Sequence, residues 1–365
     1  MEALVANRGV LLRALNVASG KTIGQGCQVK RIPVPTISDQ EILIKVHTVA
    51  LNPIDFKSVD LIASRGSVIG CDYAGEVVDV GKHALGMWKV GDRVAGFVHG
   101  GNYSNRGSFS EYLKVDGDLA WRVPDELRDE EASTYGVPAA TAMLALNVRL
   151  GVPWVDATSV GGEMQLQSPE NRGTILIYAG STSVGLFAIQ LAKRAGYTVV
   201  TTASPHSFDL VKKYGADSAF DYRSTTAVRD IVKEHPSITQ ALDCISEGRS
   251  TEFCAQVIKK SGGKIVTLLD QGKSKVRGVQ YDFLVVFTAF GHKFAFLPPI
   301  GPSFPASPSD REALARFYAN LPQFVKDVKP LPLRVLGSGF DKIILGLNEL
   351  RQGKVSGQNL AVNFE

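Results

Sequence analysis

The residues best suited to chemistry lie between Ile175 and Ala203, where an apolar run ends at a glycine-bounded turn and a helix-period run follows. Gly180 would permit a sharp turn after the first strand, and Gly185 would let the helix start pack closely against it. Unpaired amides at a helix start attract anions, so this strand–turn–helix–strand unit predicts a diphosphate site. Thr182 stands where the usual G-x-G-x-x-G pattern has its middle glycine, so the motif alone does not identify the ligand.

The composition is typical of a globular protein with two domains: 365 residues, 44% hydrophobic and 21% charged. A net charge of +4 without any Lys/Arg block argues against a nucleic-acid or membrane surface. No apolar run approaches the roughly 20 residues that span a bilayer, and the first residues do not resemble a signal peptide. We therefore expect a cytoplasmic protein. Its cysteines are far apart and are expected to be reduced, buried thiols: Cys27, Cys71, Cys244 and Cys254.

The first part of the chain has the pattern of a small, curled β domain. Short strands with glycine punctuation are expected at 41–51, 73–81 and 91–97. A small-residue helix is expected at 130–150, and the polar segment 151–173 has the composition of an inserted surface loop.

From Thr174 onward the pattern alternates between strands and helices, which predicts a doubly wound parallel sheet. Further strands are expected at 218–222, 240–245 and 263–269, with helices at 208–214, 227–234 and 252–260. Segment 271–309 is rich in aromatic residues and proline and interrupts this alternation. A helix at 311–326, another at 339–353 and a last strand complete the chain.

Six motifs occur in one order along the chain: Asn52-Pro-Ile-Asp55, Gly70-Cys-Asp-Tyr-Ala-Gly-Glu-Val-Val-Asp-Val-Gly81, Val90-Gly-Asp-Arg-Val94, Gly107-Ser-Phe-Ser-Glu-Tyr112, Ala179-Gly-Ser-Thr-Ser-Val-Gly185 and Lys213-Tyr-Gly-Ala-Asp217. The set resembles the medium-chain dehydrogenase/reductase superfamily over nearly the whole chain. That resemblance implies a GroES-like substrate domain at 1–140 and 310–365, with a Rossmann dinucleotide-binding domain at 141–309 inserted into it. It also implies that nicotinamide and substrate meet in the cleft between them.

Three further segments are similar to the fungal trans-acting enoyl reductases and the related ToxD-like oxidoreductases: Ala203-Ser-Pro-His-Ser-Phe-Asp209, Phe220-Asp-Tyr-Arg223 and Ala241-Leu-Asp-Cys-Ile245. This narrower resemblance implies reduction of a C=C bond in a small or carrier-bound enoyl substrate, with a polyketide synthase as partner. Two alternatives stay open, a free-standing quinone or alkenal reductase and a non-catalytic member that binds NADPH.

Zinc is not expected. Zinc members of the superfamily use a Cys, a His-Glu pair and a second Cys or acidic residue, whereas this chain has no Cys in 51–55 and reads Gly70-Cys71-Asp72 at the Gly-His-Glu position. One soft ligand without partners cannot build a tetrahedral site, and the four clustered cysteines of a structural zinc lobe are missing.

The strand that ends near Ala203 favours NADPH over NADH. An NAD enzyme places Asp or Glu at this strand end to bind the ribose hydroxyls, but Val200-Thr-Thr-Ala-Ser204 offers no carboxylate. Tyr222 matches a position that contacts the 2′-phosphate in the quinone-reductase branch, and hydroxyl or imidazole donors are at hand in Ser204, His206 and Ser207. Alternatively, the two serines only cap the helix that begins near Phe208.

The resemblance implies where the cofactor and substrate bind. The catalytic candidates are Lys57 and Asn52. Lys57 is the best polar cleft residue, for orienting the cofactor or delivering a proton. The alternatives are a surface lysine at position 57 and a simple turn residue at position 52. The expected cofactor contacts are Lys57, Thr141, Gly180, Ser181, Thr182, Ser183, Val184, Gly185, Ser204, His206, Ser207, Tyr222, Cys244, Leu268 and Leu269. The expected substrate pocket comprises Val137, Thr141, Phe287, Thr288, Phe290 and Gly291, although the aromatics among them could be plain core. His47, His83, His99 and His292 are isolated and are expected to be structural or exposed.

A monomer is expected, because prolines at 298–308 lack the amide donors that edge-strand pairing requires.

Overall fold

The computed structural model describes residues 1–19, 26–155, 159–160, 163–164, 172–297 and 301–364. Its strands are β1 (Glu2–Ala6), β2 (Cys27–Arg31), β3 (Glu41–Leu51), β4 (Asp72–Val80), β5 (Arg93–Phe97), β6 (Tyr112–Asp116), β7 (Ala120–Arg122), β8 (Ser159–Val160), β9 (Glu163–Met164), β10 (Thr174–Tyr178), β11 (Thr198–Ala203), β12 (Ser218–Asp221), β13 (Gln240–Asp243), β14 (Gly263–Thr267), β15 (Val279–Phe283), β16 (Phe294–Ala295), β17 (Ser303–Phe304), β18 (Leu333–Ser338) and β19 (Asn359–Asn363).

Its α-helices are α1 (Val10–Ser19), α2 (Pro53–Lys57), α3 (Asp129–Ala132), α4 (Val137–Met143), α5 (Ser183–Arg194), α6 (Phe208–Lys213), α7 (Ala227–Glu234), α8 (Ser250–Ile258), α9 (Pro308–Phe324) and α10 (Phe340–Arg351). Short 3₁₀ or π turns cover Ser58–Ile62, Gly117–Leu119, Ser133–Tyr135, Leu144–Arg149, Pro205–Ser207 and Val286–Phe290. Within the described residues no helix is long and apolar enough to cross a membrane.

The described chain packs as two compact units. The first unit comprises Met1–Val137, Phe287–Pro322 and Pro332–Glu365, and the second comprises Pro138–Val286 and Gln323–Leu331. The expected division placed 271–309 with the dinucleotide domain, whereas the packing assigns Phe287–Pro322 to the first unit. The reason is local: the ring of Phe287 stacks on that of His99 with centroids 3.8 Å apart.

The second unit contains the parallel sheet that the sequence predicts. Its strand order is β12-β11-β10-β13-β14-β15, and every neighbouring pair is parallel. The chain runs outward from β10 through β11 to β12 and then returns to the other side of β10. The switch point between β10 and β13 is where ligands bind in open sheets of this kind, beside the carboxyl ends of the strands.

The first unit is built on a seven-stranded sheet in the order β18-β19-β3-β4-β5-β7, with β6 paired to β3. β3 is the long central strand, and the predicted strands at 41–51, 73–81 and 91–97 correspond to β3, β4 and β5. Its core is continuous and apolar, and large buried members are Leu4, Ile42, Ile44, Leu51, Tyr73 and Phe109.

Two predicted elements differ in the structure. The helix expected at 130–150 is divided into α3, a 3₁₀ turn, α4 and a π turn, with a break at Gly136. A Cβ atom at Gly136 would lie 2.2 Å from Oδ1 of Asp72, and the Val137 amide donates to the same oxygen at 2.7 Å, so the break lies directly beside this buried carboxylate. Segment 271–309 contains the sixth parallel strand, β15, which the sequence pattern did not reveal.

Two expectations fall partly outside the described residues. Of the segment 151–173, residues 156–158, 161–162 and 165–171 lie outside them, and the short strands β8 and β9 pair antiparallel. Of the proline segment, 298–300 lie outside them, while Ser303–Phe304 pairs with Phe294–Ala295 in the first unit. The outer strands of the parallel sheet are β12 and β15. The monomer stays a prediction.

Candidate functional site

The turn between β10 and α5 is held against β11 by hydrogen bonds. The Ala179 amide donates to the Thr202 hydroxyl at 2.9 Å, and the Gly180 amide donates to the Thr202 carbonyl oxygen at 2.9 Å. The residue with a left-handed backbone is Ala179, at φ 60°, and not Gly180. The turn therefore lies where the sequence predicts it, and its left-handed residue stands one position before Gly180.

Both glycines of the turn are required by space. A Cβ at Gly180 would lie 2.1 Å from Oγ1 of Thr201, and one at Gly185 would lie 2.6 Å from the Ala179 carbonyl oxygen. The predicted role of Gly185, close packing of the helix start, is confirmed. α5 therefore begins directly at the carboxyl end of β10, with its first amides at the switch point of the sheet.

Thr182 is the N-cap of α5. Its hydroxyl accepts from the Gly185 amide at 3.1 Å and donates to the Ala179 carbonyl oxygen at 2.8 Å. It also bonds with the thiol of Cys244, which follows β13, while burial raises the pKa of that thiol above its usual range. Thr182 thus links the ends of β10 and β13, and its first structural task is to cap the helix. The first turn of α5 carries no acidic side chain, so nothing there opposes an anion.

The residues expected at the adenosine end lie after β11 and β12. Ser204 is half-buried, Ser207 is buried and His206 is exposed. Ser204 and Ser207 stand at the N-cap positions of the 3₁₀ turn and of α6, but neither side chain accepts a cap hydrogen bond. Helix capping therefore does not explain these two hydroxyls. Tyr222 is 40% exposed, and its ring meets that of Tyr178 edge-on with centroids 6.2 Å apart.

A buried carboxylate organises the loops that carry Cys244, Leu268 and Leu269. Asp243, at the end of β13, accepts hydrogen bonds from the hydroxyls of Ser250 at 2.7 Å and Thr251 at 2.6 Å. It also accepts the amide of Ser246 at 2.9 Å.

Ser246 has a left-handed backbone, with φ 55°. Its hydroxyl accepts from the Leu268 amide at 2.8 Å, and its carbonyl oxygen accepts from the Gln271 side chain at 2.7 Å. Asp243 and Ser246 therefore join the carboxyl ends of β13 and β14.

In the first unit, Lys57 is the last residue of α2 and is half-buried. Asn52, the N-cap of the same helix, is buried and donates its side-chain amide to Oδ2 of Asp72 at 2.8 Å. Oδ1 of Asp72 accepts from the Val137 amide at 2.7 Å, and this residue begins α4. Asn52 is thus more than a turn residue, because it holds a buried carboxylate that fixes the start of another helix.

Asp55 and Cys71 are buried beside Asp72. The Asp55 carboxyl accepts a hydrogen bond from the backbone amide of Asn52 at 2.8 Å, and it also forms a hydrogen bond with Cys71. Burial raises the pKa of the Asp55 carboxyl to about 7. Burial, reinforced by the neighbouring carboxylates, also raises the pKa of the Cys71 thiol well above its usual range.

These residues do not fit a zinc ion. Both oxygens of Asp72 already accept hydrogen bonds, from Asn52 and Val137. Across the part of the chain that the structure describes, no group of three or more His, Cys, Asp or Glu side chains is arranged to hold a metal ion.

The expected pocket segment after β15 is tied to other parts of the first unit. The Thr288 hydroxyl donates to Asp310 of α9 at 2.5 Å. Phe287 is buried against His99. The half-buried ring of Phe290 packs against that of Phe97, with centroids 4.8 Å apart and planes tilted by 52°. Burial lowers the pKa of His99 to about 3, so this imidazole is a neutral member of an aromatic cluster. His99 is structural, as expected of an isolated histidine.

The structure distributes the expected site residues between the two units. Those after β10, β11, β13 and β14 lie at the carboxyl edge of one sheet, whereas Asn52, Lys57, Val137 and the 287–291 segment belong to the first unit. Thr141 is buried within α4 and belongs to the second unit. The binding roles of all these residues remain predictions.

Sequence reasoning missed Asp72, Asp243 and Ser246 as organising residues. A signal for two of them was present, because Asp72 follows Cys71 within one of the six ordered motifs and Asp243 ends a buried apolar strand. A buried acidic side chain at such a position needs several hydrogen-bond donors around it, because an unpaired buried carboxylate is costly. Nothing in the sequence marked Ser246.

Comparison with known proteins gives matches along the whole chain. The alcohol dehydrogenase GroES-like domain family matches residues 38–125, and the zinc-binding dehydrogenase family matches residues 183–275. The trans-enoyl reductase ACTTS2 of Alternaria alternata is 36% identical over 345 residues, covering 93% of this chain and 96% of that protein.

The trans-enoyl reductase TOXD of Cochliobolus carbonum is 38% identical over 264 residues, 72% of this chain and 85% of that protein. Among solved structures, mycobacterial Rv1454c complexed with NADPH superposes with a TM-score of 0.69 at 18% identity, covering 100% of this chain and 99% of that one. The two relatives agree with the resemblance inferred from the motifs, and the solved structure agrees with the fold.

Proposed function

The chain belongs to the medium-chain dehydrogenase/reductase superfamily and, within it, to the family of the fungal trans-enoyl reductases, and from this premise we propose that it reduces an activated C=C bond with NADPH. The observation that carries the proposal is the turn from Ala179 to Gly185, which starts α5 at the switch point of the parallel sheet. A diphosphate bound there would accept hydrogen bonds from the first backbone amides of α5.

The choice of NADPH over NADH is supported by the end of β11. No carboxylate occurs from Val200 to Ser207, and the hydroxyls of Ser204 and Ser207 are not used as helix caps. Asp or Glu at this strand end would repel a 2′-phosphate.

NADPH, when bound, supplies the hydride that adds to the β-carbon of a conjugated enoyl group. The protein must then orient both partners, stabilise the oxyanion that develops on the carbonyl and allow a proton to reach Cα. We assign orientation to Lys57, whose ammonium group would bind the nicotinamide ribose from the end of α2. We assign the acyl pocket wall to Val137, Phe290 and Gly291. Asp72 holds the Val137 amide, and the Phe290 ring packs against those of Phe97 and His99.

The proposed reaction is zinc-independent. The donor set of Asp55, Cys71 and Asp72 does not fit a zinc ion, and a conjugated C=C bond accepts hydride without a Lewis acid on the substrate. We further propose that the substrate is a polyketide-type acyl thioester presented by a partner synthase, because the relatives that cover most of the chain are named trans-enoyl reductases.

The test is consumption of NADPH with 2-enoyl thioesters of increasing length, followed by mass spectrometry of the product. We expect a saturated product that carries one deuterium at the β-carbon when 4-deuterated NADPH of the transferred face is used. Turnover of short free enones with no turnover of thioesters would contradict the substrate assignment and favour the quinone or alkenal reductase alternative. No oxidation of bound NADPH in a single turnover with any acceptor would favour a non-catalytic binding protein.

A further inference from the structure

The ends of β11 and β12 lie side by side in the second unit. The two strands are parallel, and Ala203 is in register with Asp221. Ser204 and Tyr222 are the next residues along each chain, so they leave neighbouring strands, which are spaced about 4.8 Å apart in a sheet. Arg223 follows Tyr222 directly, and its side chain is 57% exposed.

The charges at this point consist of an ion pair. Arg223 Nε donates to Oδ1 of Asp221 at 3.0 Å, and Nη2 donates to Oδ2 at 3.3 Å. The Arg223 backbone amide also donates to Oδ1 of Asp221 at 3.1 Å. These hydrogen bonds, together with the positive charge, lower the pKa of the Asp221 carboxyl. Asp221 is therefore an anion at neutral pH, and Arg223 neutralises it.

A phosphate ester bound beside Tyr222 would lie close to the ion pair of Arg223 and Asp221. An unneutralised Asp221 would repel the phosphate, so the site requires a cation. Arg223 is the one Lys or Arg in the two segments 198–209 and 218–226, which form the ends of β11 and β12 and their following turns. Its guanidinium lies 5.6 Å from the centre of the Tyr222 ring, and a guanidinium has five N–H donors, of which the Asp221 bonds use Nε and Nη2.

We propose that Arg223 is the residue that selects NADPH, by donating hydrogen bonds to the 2′-phosphate while it keeps its bonds to Asp221. The inference rests on the proposed NADPH-dependent function and extends it, because it assigns the cation of the 2′-phosphate site. Ser204, Ser207 and Tyr222 then supply neutral donors around the same phosphate. Arginine suits this task better than lysine, since its planar fork can bind a carboxylate and a phosphate together.

The experiment measures binding of adenosine 2′,5′-bisphosphate, adenosine 5′-monophosphate, NADPH and NADH by calorimetry or fluorescence, without turnover. For Arg223→Ala we expect about tenfold or greater loss of affinity for the bisphosphate and for NADPH, with less than about twofold change for the monophosphate and NADH. Arg223→Lys keeps the charge and should recover part of the loss. The affinity of the wild type for the bisphosphate should also fall more steeply with salt than that of Arg223→Ala.

Arg229→Ala is the matched control, because Arg229 is also an exposed arginine of the second unit that pairs with a neighbouring aspartate, Asp230, at 3.3 Å. It should bind all four ligands as the wild type does. Unchanged NADPH and bisphosphate affinity in Arg223→Ala, or an equal loss for NADPH and NADH, would overturn the inference while leaving the NADPH assignment intact. Equal affinity of the wild type for NADPH and NADH would contradict the NADPH assignment itself and the role of Arg223 with it.

Discussion

The side-chain amide of Asn52 donates a hydrogen bond of 2.8 Å to the buried carboxylate of Asp72. The other oxygen of the same carboxylate accepts from the amide of Val137 at 2.7 Å. Residues from three separate segments of the first unit, the N-cap of α2, the start of β4 and the start of α4, are therefore fixed by one acidic side chain. Lys57 and Val137, two residues of the proposed site, stand on the helices that this carboxylate connects.

Replacing Asn52 by Ala should destabilise the protein. The variant leaves one oxygen of a fully buried carboxylate without its donor, which costs about 1–3 kcal/mol of unfolding free energy. Urea denaturation followed by circular dichroism measures the change. Asn105→Ala, at an exposed position of the same unit, serves as control and should unfold like the wild type. A variant at Asn52 that is as stable as the wild type but inactive would instead assign this residue to the chemistry.

Asp55 should make stability depend on pH. Burial raises the pKa of its carboxyl from 3.8 to about 7 in the folded protein, so the stabilisation from the protonated form is present below about pH 4 and is lost as pH rises through 7. Asp55→Asn mimics the protonated side chain and lacks this loss. The unfolding free energy of the variant minus that of the wild type should therefore rise between about pH 4 and 7, by up to about 4 kcal/mol, and level off above that range.

Denaturation at several pH values, with both proteins in the same buffers, tests this dependence on Asp55. The Cys71 thiol and the Asp72 carboxyl face Asp55, and the Asp55 charge contributes to their raised pKa values, so the difference reports the Asp55 charge together with its effect on these two groups. A difference that stays constant over this pH range would rule out the raised pKa.

Gly180→Ala should disturb the turn before α5. The added methyl group would lie 2.1 Å from the Thr201 hydroxyl oxygen, so β10 and β11 must shift, and overpacking of this kind costs about 1–3 kcal/mol. We expect a lower melting temperature together with weaker NADPH binding. Gly86→Ala, where a Cβ meets nothing within 4 Å, is the control and should leave both quantities unchanged. Wild-type NADPH affinity in Gly180→Ala would show that the turn does not approach the cofactor.

Lys57→Met should slow hydride transfer without unfolding the protein, because the ammonium group lies at the end of a half-buried side chain whose methylene stem methionine can replace. If Lys57 orients the cofactor, kcat/KM for NADPH should fall about tenfold or more, and Lys57→Arg should restore part of it. Steady-state kinetics combined with a melting curve separate this effect from a loss of structure. Wild-type kinetics in Lys57→Met would mark this residue as an ordinary surface lysine.

The amino-acid sequence determined the features that depend on local pattern and on motif order. Alternation of strands and helices after Thr174 predicted the parallel sheet, because buried parallel strands are continuous apolar runs and their crossovers are helical. The residues that directly follow β11 include no Asp or Glu, and this too can be seen from the local sequence. The sequence alone therefore favours NADPH over NADH.

Tertiary structure decided the features that depend on contacts between distant segments. Ala179, rather than Gly180, takes the left-handed conformation because hydrogen bonds to Thr202 hold the turn on β11. The helix expected at 130–150 breaks at Gly136, beside Asp72, which lies more than sixty residues earlier in the chain and accepts a hydrogen bond from the Val137 amide. A local sequence pattern does not show which distant carboxylate or hydroxyl will be buried against it. Contacts of this kind set the geometry of the candidate site.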